Sequence, residues 1–413
     1  MTGHPAPRPS ARSQRGLDWL NFFIADVETA FGPFVAVYLA SYGWSQGTIG
    51  SVLTINTAVA LATQAPAGAL VDWIHVKRAV IAGCLLLIAG GSLLIALFPT
   101  YFPVAAGELL HGITGGAVRT ALAAIGLGLV GQRAYHVRVG RNHRYDALGN
   151  AATAAGMGAL GYLVSPAAPF YAAAGLCLPA FLTLSVIRGQ EIDYARARAA
   201  EGRREPKAAR WRDIAGNRPL LIFAGCLFLF QFADASMLPL AGERLAADHK
   251  NESEIITAAL VAVPQLVTAL IAVYVARKAD EWGRKHLLVI AFAALLARAA
   301  LFAFAFSPWY LVGVQVFGGL TAAVIGILTP LIVADLTTRS GRYNFALGSV
   351  SMIASVGATI STTAIGFLTQ ELGYTTGFIA LAAVAALGLA AAWWWMPETV
   401  ESTRGYQPAE TAG

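Results

Sequence analysis

Gly68-Ala-Leu-Val-Asp72-Trp-Ile-His75-Val-Lys77-Arg78 closes one long apolar run, and Ala276-Arg-Lys-Ala-Asp280-Glu-Trp-Gly283-Arg284-Lys285 closes another. Their acids, Asp72 and Asp280, stand 208 residues apart, and Ala25-Asp26 matches Ala233-Asp234 at that same offset. Two unrelated pairs that share one period point to a duplicated chain. A third parallel extends it: Arg144-Tyr145-Asp146-Ala147-Leu148-Gly149 against Arg342-Tyr343-Asn344-Phe345-Ala346-Leu347-Gly348, with one residue inserted.

Between these marks the chain is apolar. Of 413 residues 57% are hydrophobic and only 13% charged, with mean hydropathy +0.60, which is too apolar for a water-soluble domain of this size. Runs long enough to cross a bilayer extend over Leu17 to Ser41, Ile49 to Val71, Ala79 to Phe98, Val104 to Val130, Ala147 to Val164 and Phe170 to Ile187. After a polar stretch come Leu220 to Leu240, Ile255 to Val275, Leu287 to Phe306, Tyr310 to Leu336, Phe345 to Leu368 and Phe378 to Met396. The expectation is an all-α membrane protein of 12 transmembrane helices in two six-helix halves. Residues 1-16 and 397-413 form cytoplasmic tails, 17-187 and 219-396 the halves, and 188-218 a cytoplasmic linker with nine basic and five acidic residues.

With both termini and every second loop in the cytoplasm, 25 of the 29 Lys and Arg residues lie there, against Arg244 and Lys250 on the other side. Arg119 and Arg298 fall inside runs. Trp393, Trp394 and Trp395 close the last run, where indole rings favour the headgroup region. The formal net charge of +6 is spread over short connections rather than gathered in a stripe with aromatics, so it reflects topology and not a nucleic-acid partner. Cys84, Cys177 and Cys226 lie in different apolar runs, away from any Cys or His at metal-ligand spacing, and are read as small buried side chains. Residues 1 to 16 show no removable signal peptide.

The two quoted turns resemble the signature G-x-L-A-D-R-x-G-R-K of the major facilitator superfamily. The second copy keeps Asp280, Gly283, Arg284 and Lys285; the first keeps Gly68, Leu70, Asp72, Lys77 and Arg78 but has His75 for the inner Gly. The resemblance covers Leu17 to Pro397-Glu398-Thr399 and implies the major facilitator fold, alternating access and a gating role for both turns. In that family the Asp meets a neighbouring helix N-terminus and an Arg, a charge-against-dipole contact. A second family signature, an Arg four residues before a Gly in span 4, is not matched, because Glu108 stands four before Gly112; Arg119 lies eleven residues beyond Glu108 on nearly the same helical face. Gly149, Gly156, Gly158 and Gly161 in span 5 are similar to the exporter signature without its Pro, and close helix packing accounts for them equally.

An ionised side chain at mid-span costs about 2.5 to 3.5 kcal/mol on insertion scales, so each one needs a compensating role. Asp26 and Asp234 are expected to face the central cavity, at least one of them taking up a proton; the alternative is a permanently ionised pair, for example with Arg119. Glu28 lies about 200° around the helix from Asp26. Glu108 and His111, three apart on one face, form either a proton-sharing pair or a plain hydrogen-bonded one. Arg298 is expected to point inward at a carboxylate or carbonyl. Asn56, Gln64, Gln231, Gln265 and Gln315 add neutral polar groups that, with Arg119, are candidates for the substrate cavity. Asp335, Arg339 and Arg342 are expected to make gate or turn contacts.

A nucleotide-driven motor is excluded in its usual form, since no G-x-x-x-x-G-K-[S/T] loop occurs. A membrane-embedded enzyme is disfavoured because six of the seven histidines fall in loops or the N-terminal tail and no H-x-x-x-H pair exists; neither metal nor cofactor is expected. A sensor or scaffold would carry an added soluble domain. Short loops, paired turns and the terminal Pro-Glu-Thr resemble bacterial efflux members, which implies proton-coupled export of a small organic compound from a monomer in the bacterial inner membrane, with uptake of a metabolite as the competing reading. Four intramembrane acids against two bases favour cationic or neutral solutes over anions. The fold by itself does not select a substrate.

Overall fold

A computed structural model describes residues 9–29, 33–74, 76–194, 196–198, 214–241, 253–304, 307–338 and 342–399. Within these helices a few side chains lie outside the description, those of Asp26 and Glu28 among them, as does Arg339. All regular structure among the described residues is helical: α1 (Ala11–Thr29), α2 (Pro33–Ser41), α3 (Gln46–Trp73), α4 (Lys77–Leu97), α5 (Tyr101–Leu163), α6 (Ala168–Val186), α7 (Arg218–Ala235), α8 (Ser253–Glu281), α9 (Arg284–Ala303), α10 (Pro308–Leu336), α11 (Tyr343–Leu372) and α12 (Tyr374–Trp394), with two short 3-10 turns at Gly189–Glu191 and Arg196–Arg198. Every apolar run of the sequence overlaps a helix. Nine stretches among the described residues, on α4 to α12, are long and apolar enough to cross a membrane.

Local chemistry explains several boundaries. Ser45, Asn217 and Ser307 each accept a hydrogen bond from a backbone N–H in the first turn of the helix that follows, at 3.2 Å in all three cases. The connection 131–146 differs from the loop read from sequence: it is helical, and α5 runs through it with one non-helical residue, Gly131, at φ 71°. Two of its arginines pack on α1. Arg138 and Arg141 both donate to Asp18, and Arg138 also reaches the Gln14 carbonyl at 3.3 Å and Asn142 Oδ1 at 2.7 Å.

Two compact units divide the chain. The first joins residues 1–208 with 340–352, the second 209–339 with 353–413, so the division passes within α11. In the first unit α5 is the central packing element, touching α1, α3, α4 and α6. The start of the polar stretch after α6 lies against it too, with Asp193 donating its N–H to the Gly128 carbonyl at 3.1 Å. In the second unit α8 packs on α10, and α9 on α10, α12 and α7. Leucines such as Leu86, Leu178, Leu182, Leu270 and Leu387 are exposed, as are Trp393, Trp394 and Trp395. An apolar exterior of this kind is stable against hydrocarbon and not against water. Cys84, Cys177 and Cys226 are buried.

Candidate functional site

The turn after α3 is built on a close approach. A side chain on Gly68 would run into the backbone of α11, its Cβ 2.8 Å from the Asn344 carbonyl carbon and 3.0 Å from Phe345 Cα. Farther along, a Cβ on Gly348 would lie 3.0 Å from the Gln64 carbonyl carbon. With the two helices this near, the Asp72 carboxylate takes the orphan donors of the α11 N-terminus: Oδ1 accepts from Asn344 N at 3.3 Å and Asn344 Nδ2 at 2.7 Å, and Oδ2 accepts from Phe345 N at 2.8 Å. Burial pushes the Asp72 carboxyl up to about 6, against the pull of the Phe345 and Asn344 donors and the Lys77 charge. Lys77, itself buried, donates to the Val71 carbonyl. The Asn344 amide also reaches the Ala197 carbonyl at 3.1 Å, and the Tyr135 and Tyr343 hydroxyls meet at 2.8 Å.

The turn after α8 is arranged around its base. Gly283 adopts φ 91°, a conformation that side chains resist, and a Cβ there would lie 2.7 Å from the Glu398 Cδ. That freedom brings Glu398 onto the first turn of α9, where its carboxylate accepts from Arg284 N at 2.8 Å and Lys285 N at 3.2 Å. The Arg284 side chain is buried and reaches Asp335 Oδ2 at 3.3 Å and Asp280 Oδ1 at 3.5 Å; Thr399 donates to the same Asp335 oxygen at 3.2 Å.

Deeper in the helices the sequence candidates separate into groups. Glu108 on α5 is fully buried and accepts from Asn56 Nδ2 on α3 at 2.7 Å, while its other oxygen has no hydrogen-bond partner among the described residues. His111 is buried one turn on. Gly112 and Gly116 let α5 approach α3 beside Asn56 and Gln64. Arg119 is exposed, 3.8 Å from Asp146 on the second arm of α5. In the second unit Arg298 on α9 pairs with Asp234 on α7. Gln315 on α10 is fully buried. Gln231 on α7 and Gln265 on α8 are half-buried. Asp26 and Glu28 belong to α1, but their side chains lie outside the described residues.

The Asp18, Arg138 and Arg141 cluster has no motif to announce it in the sequence. Asp18 sits at the start of an apolar run, more than a hundred residues from bases that a charge count assigns to a solvated connection, yet it is 1% exposed. The one signal is an acid so close to the polar end of its run.

Comparisons with known proteins agree with this architecture. The model of the Major Facilitator Superfamily matches residues 19–297 and 226–412. An uncharacterized MFS-type transporter of Mycobacterium tuberculosis is 35% identical over 406 residues, 97% of each chain. A multi-drug resistance efflux pump PmrA homolog of Lactococcus lactis subsp. lactis is 28% identical over 181 residues, 43% of this chain and 44% of its own. Among solved structures, the human organic anion transporter MFSD10 (TETRAN) superposes with TM-score 0.72 at 18% identity, over 94% of this chain and all of its own, a likeness of fold.

Proposed function

The chain belongs to the major facilitator superfamily and is a multi-pass membrane transporter rather than an enzyme, and we propose that it exports a small organic compound in exchange for protons by alternating access. Twelve crossings with both termini in the cytoplasm of a bacterial inner membrane, and a monomeric working unit, complete the reading. Export is supported by the partial likeness to a protein named as an efflux pump.

The observation that carries proton coupling is the pair on α7 and α9. Asp234 is one-third exposed, whereas Arg298 is buried, so the acid is the member of the pair that a proton can reach. A proton on Asp234 removes the charge that holds Arg298, so the arrangement of helices depends on whether a proton is bound. Asp26, its mate at the 208-residue offset, takes the same part in the first half, with Glu28, Glu108 and His111 as further proton carriers. Asn56, Gln64, Arg119, Gln231, Gln265 and Gln315 line the solute path. The turns with Gly68, Asp72, Lys77 and Arg78, and with Asp280, Gly283, Arg284 and Lys285, hold one end of the path shut in one of the two access states.

Proteoliposomes test this with ethidium as the probe. An imposed pH gradient drives ethidium across the wild-type membrane, and D26N or D234N removes the gradient dependence while the protein still accumulates normally. Ethidium movement that survives collapse of the gradient by nigericin would overturn proton coupling. Movement only in the uptake direction would overturn export.

A further inference from the structure

Three polar side chains from three helices converge in the second unit. Arg298 of α9 gives one guanidinium nitrogen, Nη1, to Asp234 of α7, and its face lies 5.5 Å from the Phe302 ring centre. Among the described residues the buried Arg298 Nε has no hydrogen-bond partner. Gln315 of α10 is fully buried, and neither its amide oxygen nor its amide nitrogen has a partner among the described residues. A buried amide left unsatisfied costs about 1 to 3 kcal/mol, so its persistence calls for a second state in which it is used.

Gly318, one turn along α10, shows that these groups share a space. A Cβ at Gly318 would lie 2.8 Å from Gln315 Oε1, 3.1 Å from Arg298 Cζ and 3.3 Å from Arg298 Nε. One methyl group would therefore overlap both partners. The unused acceptor and the unused donor both lie within 3.3 Å of that one point, in a volume kept open by glycine.

We propose that Gln315 is the second acceptor of Arg298, taken up when Asp234 is neutralised. With Asp234 ionised, the guanidinium is held on α7. When a proton from water binds the Asp234 carboxylate, Arg298 stays cationic, the pair goes from zero net charge to +1, and the guanidinium turns its donors to Gln315 Oε1. The bond that linked α7 to α9 then links α9 to α10. This rests on the reading of Asp234 as a proton acceptor and adds the residue through which the proton acts on a third helix.

Among the described residues, Arg298 is the charged side chain that meets Asp234. Of the elements packed on α7, α12 carries Tyr374 and the second-unit part of α11 carries Glu371, both at helix ends. Helix α10 brings Tyr310 and Asp335 near its two ends, and α9 adds Arg284, Lys285 and His286 in its first turn.

Nitrogen-15 arginine labelling of the whole protein in lipid nanodiscs reads the switch, with the Arg298 Nε–H resonance identified by its loss in R298K. In D234N the resonance is expected at a displaced position at every pH, and Q315L placed on top of D234N abolishes that displaced position. Q315E is expected to hold the resonance near the displaced position even with Asp234 intact. If D234N and D234N/Q315L give the same position, Gln315 is not the acceptor and the proposal fails. Q315M, which also lacks an amide and fits the same apolar pocket, serves the same comparison if Q315L does not fold. Ethidium transport by D234N tests the underlying reading separately: gradient dependence that survives in D234N refutes proton uptake by Asp234, whatever the double variant shows.

Discussion

In the turn after α3 the buried working group is the acid. Asp72 takes three N–H donors from the first turn of α11 while Lys77 is satisfied by a backbone carbonyl. In the turn after α8 the acid at the same position, Asp280, is 42% exposed, and the base Arg284 is buried, its guanidinium on Asp335 and its backbone N–H on Glu398. One short motif thus serves two contacts. The difference begins at the inner position, His75 in one copy and Gly283 in the other. Gly283 makes the φ 91° turn that sets the Arg284 backbone on a helix start under the Glu398 carboxylate. A duplicated sequence keeps the acid in both halves; a base is buried at each turn, and the tertiary partner determines whether the acid is buried as well.

The largest effect comes from removing the space that lets Asp72 work. Gly68→Val puts a branched side chain where the Asn344 backbone already stands, and backbone cannot rotate away as a side chain can. Ethidium transport in proteoliposomes is expected to fall below detection while the protein is still inserted. Near-normal transport would mean that the approach of α3 to α11 is dispensable.

Next comes Arg284→Ala. Removing the base leaves Asp335 buried with the Thr399 hydroxyl as its remaining side-chain donor, and losing one member of a buried pair costs about 3 to 5 kcal/mol. A large drop in thermal midpoint and in transport is expected, rescued in part by Arg284→Lys. At the other turn, Lys77→Ala removes a donor to the Val71 carbonyl and a charge acting on Asp72, which keeps its N–H donors from Asn344 and Phe345, and is expected to cost less. Equal losses would erase the distinction between the turns.

The two acids give a direct contrast. Asp72→Asn places an amide NH2 against an N–H that now meets an oxygen, either Phe345 N or the Asn344 pair, and hydrogen bonds to a charged group contribute about 1.5 to 3 kcal/mol. Transport is expected to fall at least about tenfold, the equivalent of 1.4 kcal/mol. Asp280→Asn is expected to stay within about threefold, because Arg284 keeps Asp335 and the lost ion pair is half in solvent. A greater loss at Asp280 than at Asp72 would reverse the comparison.

Much of this architecture is legible in the amino-acid sequence alone. Hydropathy marks the helices because lipid leaves the backbone no partner but itself, and Asp72 and Asp280 are conspicuous because charge is rare around them. The contacts between helices are not legible in the same way. Burial in an apolar run tells that Arg298 needs a carboxylate or a carbonyl, but the choice of Asp234 depends on the rotation of α7 and α9, which packing sets and hydropathy does not encode. Asn56 and Glu108 are both candidates by residue type, yet nothing in their spacing joins them. Asp18 escapes notice because its partners lie on the helical connection 131–146, whose polar composition resembles a solvated loop.

The smallest effect is a pH dependence that isolates Asp72. Burial raises its carboxyl from an ordinary 3.8 to about 6, and the donors from Phe345 and Asn344 and the Lys77 charge reduce that rise without cancelling it. The folded chain therefore holds this proton more tightly than the unfolded chain does. The sign follows: the contribution of Asp72 to stability is fully present below pH 3.8 and is lost as pH rises through about 6. Asp72→Asn has no such proton, so it supplies the baseline. The thermal midpoint of the wild type minus that of Asp72→Asn is expected to fall between pH 4.5 and 7.5 by about 2 °C, a size set by the shallow dependence of midpoint on free energy in large proteins. A difference that instead grows with pH would show that the three N–H donors outweigh burial, and the first turn would then tighten on losing its proton, as a helix N-terminus facing a full negative charge should.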